Sequence, residues 1–203
     1  MLAAEAVSED AVLAEDRLRA HQYQLLARLL AVPAGAALLR LASGFAGDDT
    51  DVGGALGELA RRAGQTTPEA VSREYHDLFI GIGRGELVPY ASYYLTGFLN
   101  EKPLASLRAD LARLGIARAD TVKEPEDHIA ALCEMMAGLI TGAFGAPLDL
   151  AAQRAFFDRH LAQWAPVFFE DLERAQSAWL YAPVGTLGRL FMGIERTAFM
   201  MEA

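Results

Sequence analysis

The sequence predicts an all-α fold, a single-domain multi-helix bundle over residues 1–203. Three observations carry this. Alanine and leucine dominate while β-branched residues are sparse, which favours helix over strand. Apolar residues recur every three or four positions in stretches bounded by proline or glycine. No stretch alternates apolar and polar residues as a half-buried strand would, and helices joined by short connectors pack as a bundle.

The elements follow in order. Ser8 is placed to cap a helix running to about Val32, with Leu18, Leu25, Leu26, Leu29 and Leu30 on its apolar face and Pro33 as its stop. Ala34 to Phe45 reads as a short second helix. Asp51 to Ala63 reads as a third, weakened by Gly53, Gly54 and Gly57 and stopped by Gly64. Thr67-Pro68-Glu69 is a helix start, with Thr67 as N-cap and Pro68 at the first helical position. That helix carries Tyr75, Leu78 and Phe79 up to the run Gly81-Ile82-Gly83-Arg84-Gly85. Pro89 blocks helix across this run, and an aromatic cluster of Tyr90, Tyr93, Tyr94 and Phe98 follows. Ser92 to Asn100 reads as a short helix.

Pro103 opens an amphipathic helix with Leu104, Leu107, Leu111 and Leu114 on one side and Gly115 as its stop. Ile116 to Lys123 is a mostly polar connector, so a hinge between N- and C-terminal helical parts is expected at 116–124. Glu124-Pro125-Glu126-Asp127-His128 reads as the next helix start, with Pro125 at the first helical position and Glu126 and Asp127 in the first turn, where the helix dipole favours negative charge. Glu126 to Thr141 is then one helix, with Ile129, Leu132, Cys133, Met136 and Ile140 as its buried stripe. Phe144 to Pro147 is a turn. Further helices are expected over Leu148 to Trp164, from Pro166 to about Leu180, and from Thr186 to Met201, with Pro183 as a break. Trp164, Trp179, Phe156, Phe157, Phe168 and Phe169 read as core.

Composition excludes several function classes. A net charge of −9 argues against nucleic acid as partner and suits a basic one. One cysteine, Cys133, rules out an internal disulfide and a cysteine metal cluster, and its place on the apolar stripe predicts a buried, inert thiol. The start of the chain lacks the basic region of a signal peptide, and no apolar run is long enough for a membrane span, so a cytoplasmic protein without stable membrane insertion is expected.

Motifs for chemistry are scarce. The run Gly81 to Gly85 follows a helix and is followed by Pro89, which fits neither a dinucleotide fingerprint nor a P-loop. His21, His76, His128 and His160 form no metal-ligating spacing. Asp127 and His128, adjacent on a helix, would point roughly 100° apart. A nucleotide-binding or hydrolytic protein using the Gly81–Gly85 loop with Asp127 and His128 is the alternative reading.

Three motifs in order nevertheless resemble the TorD/DmsD group of redox-enzyme maturation chaperones. The first is Tyr75-His76-Asp77-Leu78-Phe79 followed by Gly81, Pro89, Ser92 and Tyr93; the second is Glu124-Pro125-Glu126-Asp127-His128; the third is Phe156-Phe157 with His160, Leu161 and Trp164. The resemblance spans about Ser72 to Leu172. It implies a non-enzymatic, all-helical, cytoplasmic chaperone without a required cofactor, with weak GTP binding as a family possibility. The implied partners are a molybdenum-dependent oxidoreductase subunit and its twin-arginine leader peptide, and the implied state is a monomer or a domain-swapped dimer. The loop is richer in glycine than in sulfoxide-reductase chaperones, which leaves a formate dehydrogenase as credible a client as a sulfoxide or amine-oxide reductase. A leader carries guanidinium groups beside an apolar segment, so its binder needs an apolar groove with carboxylates at the rim. Leu78, Phe79, Ile82, Tyr90 and Tyr93 are expected to supply the groove, and Glu86, Glu124, Glu126 and Asp127 the rim. Pro89, Ser92, Pro125 and His128 complete the expected peptide-binding set, and the two stretches are expected to lie side by side.

Overall fold

The computed structural model describes residues 14–118 and 123–201. Among them are ten α-helices, one π-helical turn and no strand, as the composition predicts. In chain order they are α1 (Ala14–Ala31), α2 (Ala36–Ser43), α3 (Asp51–Ala63), α4 (Pro68–Tyr75), the π-helical turn (His76–Ile80) and α5 (Ala91–Thr96). Then come α6 (Lys102–Arg113), α7 (Ile129–Thr141), α8 (Leu150–His160), α9 (Ala165–Arg174) and α10 (Tyr181–Met201). The Ser8 cap lies outside the described residues, as do residues 119–122 of the expected hinge.

The centre of the bundle is α7, which is buried nearly all round, including Ile129, Leu132, Cys133, Met136 and Ile140. It packs on α1, and α10 packs on α9 and α3. The α9–α10 crossing is close because α10 has no side chain there. A Cβ at Gly185 would lie 2.3 Å from the backbone nitrogen of Glu173, and one at Gly188 would lie 2.2 Å from the Phe169 ring. Trp164, Phe157, Phe168 and Phe169 fill the interior.

One polar network threads the core. Arg19 on α1 forms a two-pronged pair with Glu195 on α10, Nε to Oε1 at 2.7 Å and Nη2 to Oε2 at 2.9 Å. Its Nη1 donates to Asp16 and to Gln153 on α8. The Tyr23 hydroxyl donates to the same Glu195 carboxylate at 3.0 Å. Glu195 is 1% exposed, so nearly all its solvation is replaced by these three groups and the helix around it.

The structure corrects several sequence expectations. Residues Glu124 to Asp127 do not open a helix: α7 begins at Ile129, with His128 as its N-cap. A proline suits a turn as well as a first helical position, and tertiary contacts described below select the turn. The expected helix from Pro166 stops at Arg174, and α10 starts at Tyr181 rather than Thr186. Pro183 sits inside its first turn, where a missing N–H costs nothing because no earlier carbonyl would receive it. The helix expected to reach Trp164 ends at His160, and Gly97 to Asn100 leave the helix after α5. Trp179 is 41% exposed and not core.

Candidate functional site

The glycine loop is built by the π-helical turn before it. The Gly81 N–H donates to the His76 carbonyl at 2.7 Å, one residue further than an α-helix would allow. Gly81 has φ +60°, which a side chain disfavours, and the chain reverses there. It returns along the turn it has just left: Glu86 N–H donates to Asp77 O at 3.1 Å and Leu87 N–H to Leu78 O at 2.8 Å. The reversal is tight enough that a Cβ on Gly85 would lie 2.5 Å from the Phe79 backbone. The loop tip, Ile82 to Arg84, projects outward, with Ile82 fully exposed.

The returning chain docks on the turn before α7. Ile129 N–H donates to the Pro89 carbonyl at 2.9 Å, and Ala91 N–H to the Asp127 carbonyl at 3.0 Å, with Tyr90 and His128 paired between them as an isolated antiparallel bridge. The Asp127 carboxylate accepts the Ser92 N–H at 2.8 Å, which caps the start of α5. The Tyr90 hydroxyl donates to the Glu124 carboxylate, and its ring meets His128 edge-on at 5.0 Å. The two stretches singled out by the sequence therefore lie side by side. A cleft of about 300 Å³ opens next to them, with Leu95, Lys102, Leu107, Asp127 and Arg159 among its lining.

Placement separates the sequence-expected residues into three groups. Leu78, Pro89, Ser92, Asp127 and His128 are buried and hold the two stretches together, Asp127 at the wall of the cleft. Phe79 and Tyr90 are half-buried, Phe79 edge-on to Tyr75 and Tyr181. Ile82, Glu86 and Glu124 reach the surface, and Tyr93, Pro125 and Glu126 do so in part.

Most of the expected acidic rim is already engaged. Glu86 accepts the backbone N–H groups of Gln176 at 2.6 Å and Ser177 at 3.0 Å, and so fastens the loop to the α9–α10 connector. Burial alone would raise its pKa, but those two N–H donors hold the carboxyl below its usual range. Glu74 on α4 acts in the same way, accepting Trp179 N–H at 2.7 Å and Tyr181 N–H at 2.8 Å. Glu126 is paired with Arg108 at 2.8 Å and faces Arg118 at 3.8 Å. Asp127 is 1% exposed. Of the four carboxylates, Glu124 is the one whose described partner is a single tyrosine hydroxyl. The expectation that Asp127 belongs to the rim is corrected: its carboxylate does for Ser92 what a helix cap does.

Neither Asp127 nor His128 is set up as a catalytic pair. His128 Nδ1 accepts the Ala130 N–H at 3.1 Å, so the ring serves as the N-cap of α7. That role requires the neutral ring, and burial pushes its pKa down to about 4, with Glu124 and Asp127 opposing only part of the shift. The unfolded histidine titrates near 6.5, so the unfolded chain takes up the proton first. The stabilisation is complete above about pH 6.5 and is lost as pH falls toward 4; about 2 kcal/mol is gone by pH 5. The urea midpoint should therefore drop between pH 7 and pH 5, and drop less in His128→Asn, which keeps a cap but does not titrate. Parallel pH profiles for the two proteins would refute this.

Sequence reasoning missed Arg84 and Tyr94. The Arg84 guanidinium sits over the Tyr93 ring, 5.2 Å from its centroid. Tyr94 donates to Asp171 at 3.0 Å and packs against Trp164 and Phe168, anchoring α5 to α9. Arg84 had a signal, as the one charge within a glycine run; the Tyr94 contacts had none.

Comparison with known proteins adds the family. A family model described as nitrate reductase delta subunit matches residues 46–170. The chain is similar to the chaperone protein TorD of Vibrio cholerae O395, 33% identical over 129 residues that cover 60% of this chain and 59% of that protein. It is 32% identical to TorD of the V. cholerae El Tor strain over 145 residues, covering 68% and 65%. TorD of Vibrio atlanticus is 30% identical over 133 residues, covering 62% of each chain. The chain thus spans about three fifths of the length of the first of these curated relatives, 59%. In fold it is similar to the crystal structure of a candidate redox enzyme maturation protein from Archaeoglobus fulgidus, with a TM-score of 0.58 at 23% identity, covering 87% of this chain and 94% of that one. The family model takes in more than half of the sequence, including both stretches that build the site, and the chain belongs to the TorD family, whose model carries the description nitrate reductase delta subunit.

Proposed function

We propose that the protein is a cytoplasmic, non-enzymatic chaperone that binds the twin-arginine leader and the apo-form of a molybdenum-dependent oxidoreductase, and supports cofactor insertion before export. The observation that carries this reading is the docking of the glycine loop on the turn before α7. Tyr90 meets Glu124 there, and Tyr93 and the exposed Ile82 lie on the same stretch of chain, which supports an apolar and aromatic surface with a carboxylate on it. Leu95, Phe98 and Leu99, at the end of α5 and just after it, add exposed apolar side chains. This is the chemistry that an apolar segment next to two guanidinium groups requires. Membership of the TorD family supports the same reading, as do relatives named as chaperones.

Calorimetric titration with a synthetic twin-arginine leader tests it. Saturable binding is expected, weakened when both arginines are replaced by lysines, since a planar guanidinium stacks and pairs in ways an ammonium does not. Tyr93→Ala should cost about 1–3 kcal/mol of binding, as loss of an aromatic anchor does. Absence of binding to either peptide would overturn the proposal.

A further inference from the structure

We infer that the face of the Tyr93 ring receives one guanidinium of the leader, and that Arg84 is the chain's own occupant of that position until the leader displaces it. The inference rests on the leader-binding function proposed above and specifies how its site is regulated. Arg84 is exposed, and among the described residues it forms no salt bridge; its guanidinium lies instead over Tyr93 at 5.2 Å. Guanidinium over an aromatic face is a favourable pairing for any arginine, internal or foreign. The acidic groups that could compete are engaged: Glu86 by two backbone N–H groups, Glu126 by Arg108, and Asp127 by Ser92 in the interior. An incoming guanidinium therefore finds the Tyr93 face, and in Glu124 a carboxylate engaged by one tyrosine hydroxyl.

The loop tip also has the composition of a ligand. Ile82-Gly83-Arg84 presents an exposed apolar side chain next to a guanidinium, the same pair that a leader offers. Its construction lets the tip leave without dismantling the site. Gly81 and Gly83 have positive φ, and the bonds of Glu86 and Leu87 back to Asp77 and Leu78 close the loop at its base. The three residues Ile82 to Arg84 can swing away while that base and the docking on α7 stay closed. A site partly filled by its own chain binds its ligand more weakly in proportion to the fraction left open. A cation–aromatic contact at an exposed position corresponds to about a two- to fivefold effect on affinity.

The test is a double-mutant cycle read by titration with the twin-arginine leader, using wild type, Arg84→Ala, Tyr93→Ala and the double variant, each checked for unchanged helical circular dichroism. Arg84→Ala is expected to tighten leader binding about two- to fivefold, and to have no effect when Tyr93 is already alanine. If wild type binds the leader and Arg84→Ala binds it equally or more weakly, the self-occupied site is refuted while the chaperone reading stands. Tightening that persists in the Tyr93→Ala background also refutes it, because the loop then acts elsewhere. If neither wild type nor Arg84→Ala binds the leader, the chaperone reading itself falls and this inference falls with it.

Discussion

Replacing Glu195 by alanine is expected to cost about 3–5 kcal/mol of stability, the range for removing one partner of a buried ion pair. Glu195 is 1% exposed and accepts from Arg19 Nε, Arg19 Nη2 and the Tyr23 hydroxyl. Without it, Arg19 keeps Asp16 and Gln153 but lies against the Phe199 ring with both bonds to Glu195 gone. Tyr23, fully buried, loses the described acceptor of its hydroxyl. Glu195→Gln keeps the shape and one acceptor, and should lose clearly less. Exchanging Arg19 and Glu195 together for methionine and leucine should recover most of the deficit, because the cost lies in the stranded charge rather than in the absence of the pair. Urea unfolding of the three variants decides it; a deficit under about 1 kcal/mol for Glu195→Ala, the value of a surface pair, would show that solvent reaches the site.

Asp127→Ala should destabilise the protein by about 2–4 kcal/mol, since a buried N–H loses a charged acceptor and a cavity is left beside it. The N–H in question belongs to Ser92, itself fully buried. Asp127→Asn retains an oxygen for that bond and should cost about 1 kcal/mol. The position also separates architecture from recognition. A surface carboxylate removed by Asn would flatten the salt dependence of leader binding, whereas a buried one would not. Equal salt dependence in wild type and Asp127→Asn is the expected result. A flatter slope in the variant, with stability unchanged, would return Asp127 to the binding surface.

Much of the fold was legible because its signals are local. Thr67-Pro68 fixes the start of α4, Gly64 and Gly115 stop α3 and α6, and the spacing of Ile129, Leu132, Cys133, Met136 and Ile140 identifies the buried face of α7. The errors arise where a local signal has two solutions. Pro125 and Pro183 both look like helix punctuation; one proved to be in a turn and the other inside a first turn, and the choice depends on contacts with distant residues. The site was legible as an oddity of two stretches, and they do meet. The division of labour within them was not. Which carboxylate faces solvent and which caps a backbone depends on where Gln176, Ser177, Arg108 and Ser92 end up, and nothing in the flanking sequence encodes that. The π-helical turn has no recognised residue signature, and Arg19 with Glu195 has none either, being 176 positions apart.

That separation has a consequence for how the chain is made. At about 5–20 residues per second, the ribosome delivers Glu195 roughly 10–35 s after Arg19, a gap of 176 residues. During that interval α1 has no partner on α10 for its guanidinium, and α7, which covers the apolar side of α1, is itself more than a hundred residues behind. Tyr23, Leu26 and Leu30, all buried in the finished protein, are uncovered while synthesis continues. The apolar side of α1 is thus covered only once α7 has been made, and its guanidinium pair only once α10 has followed.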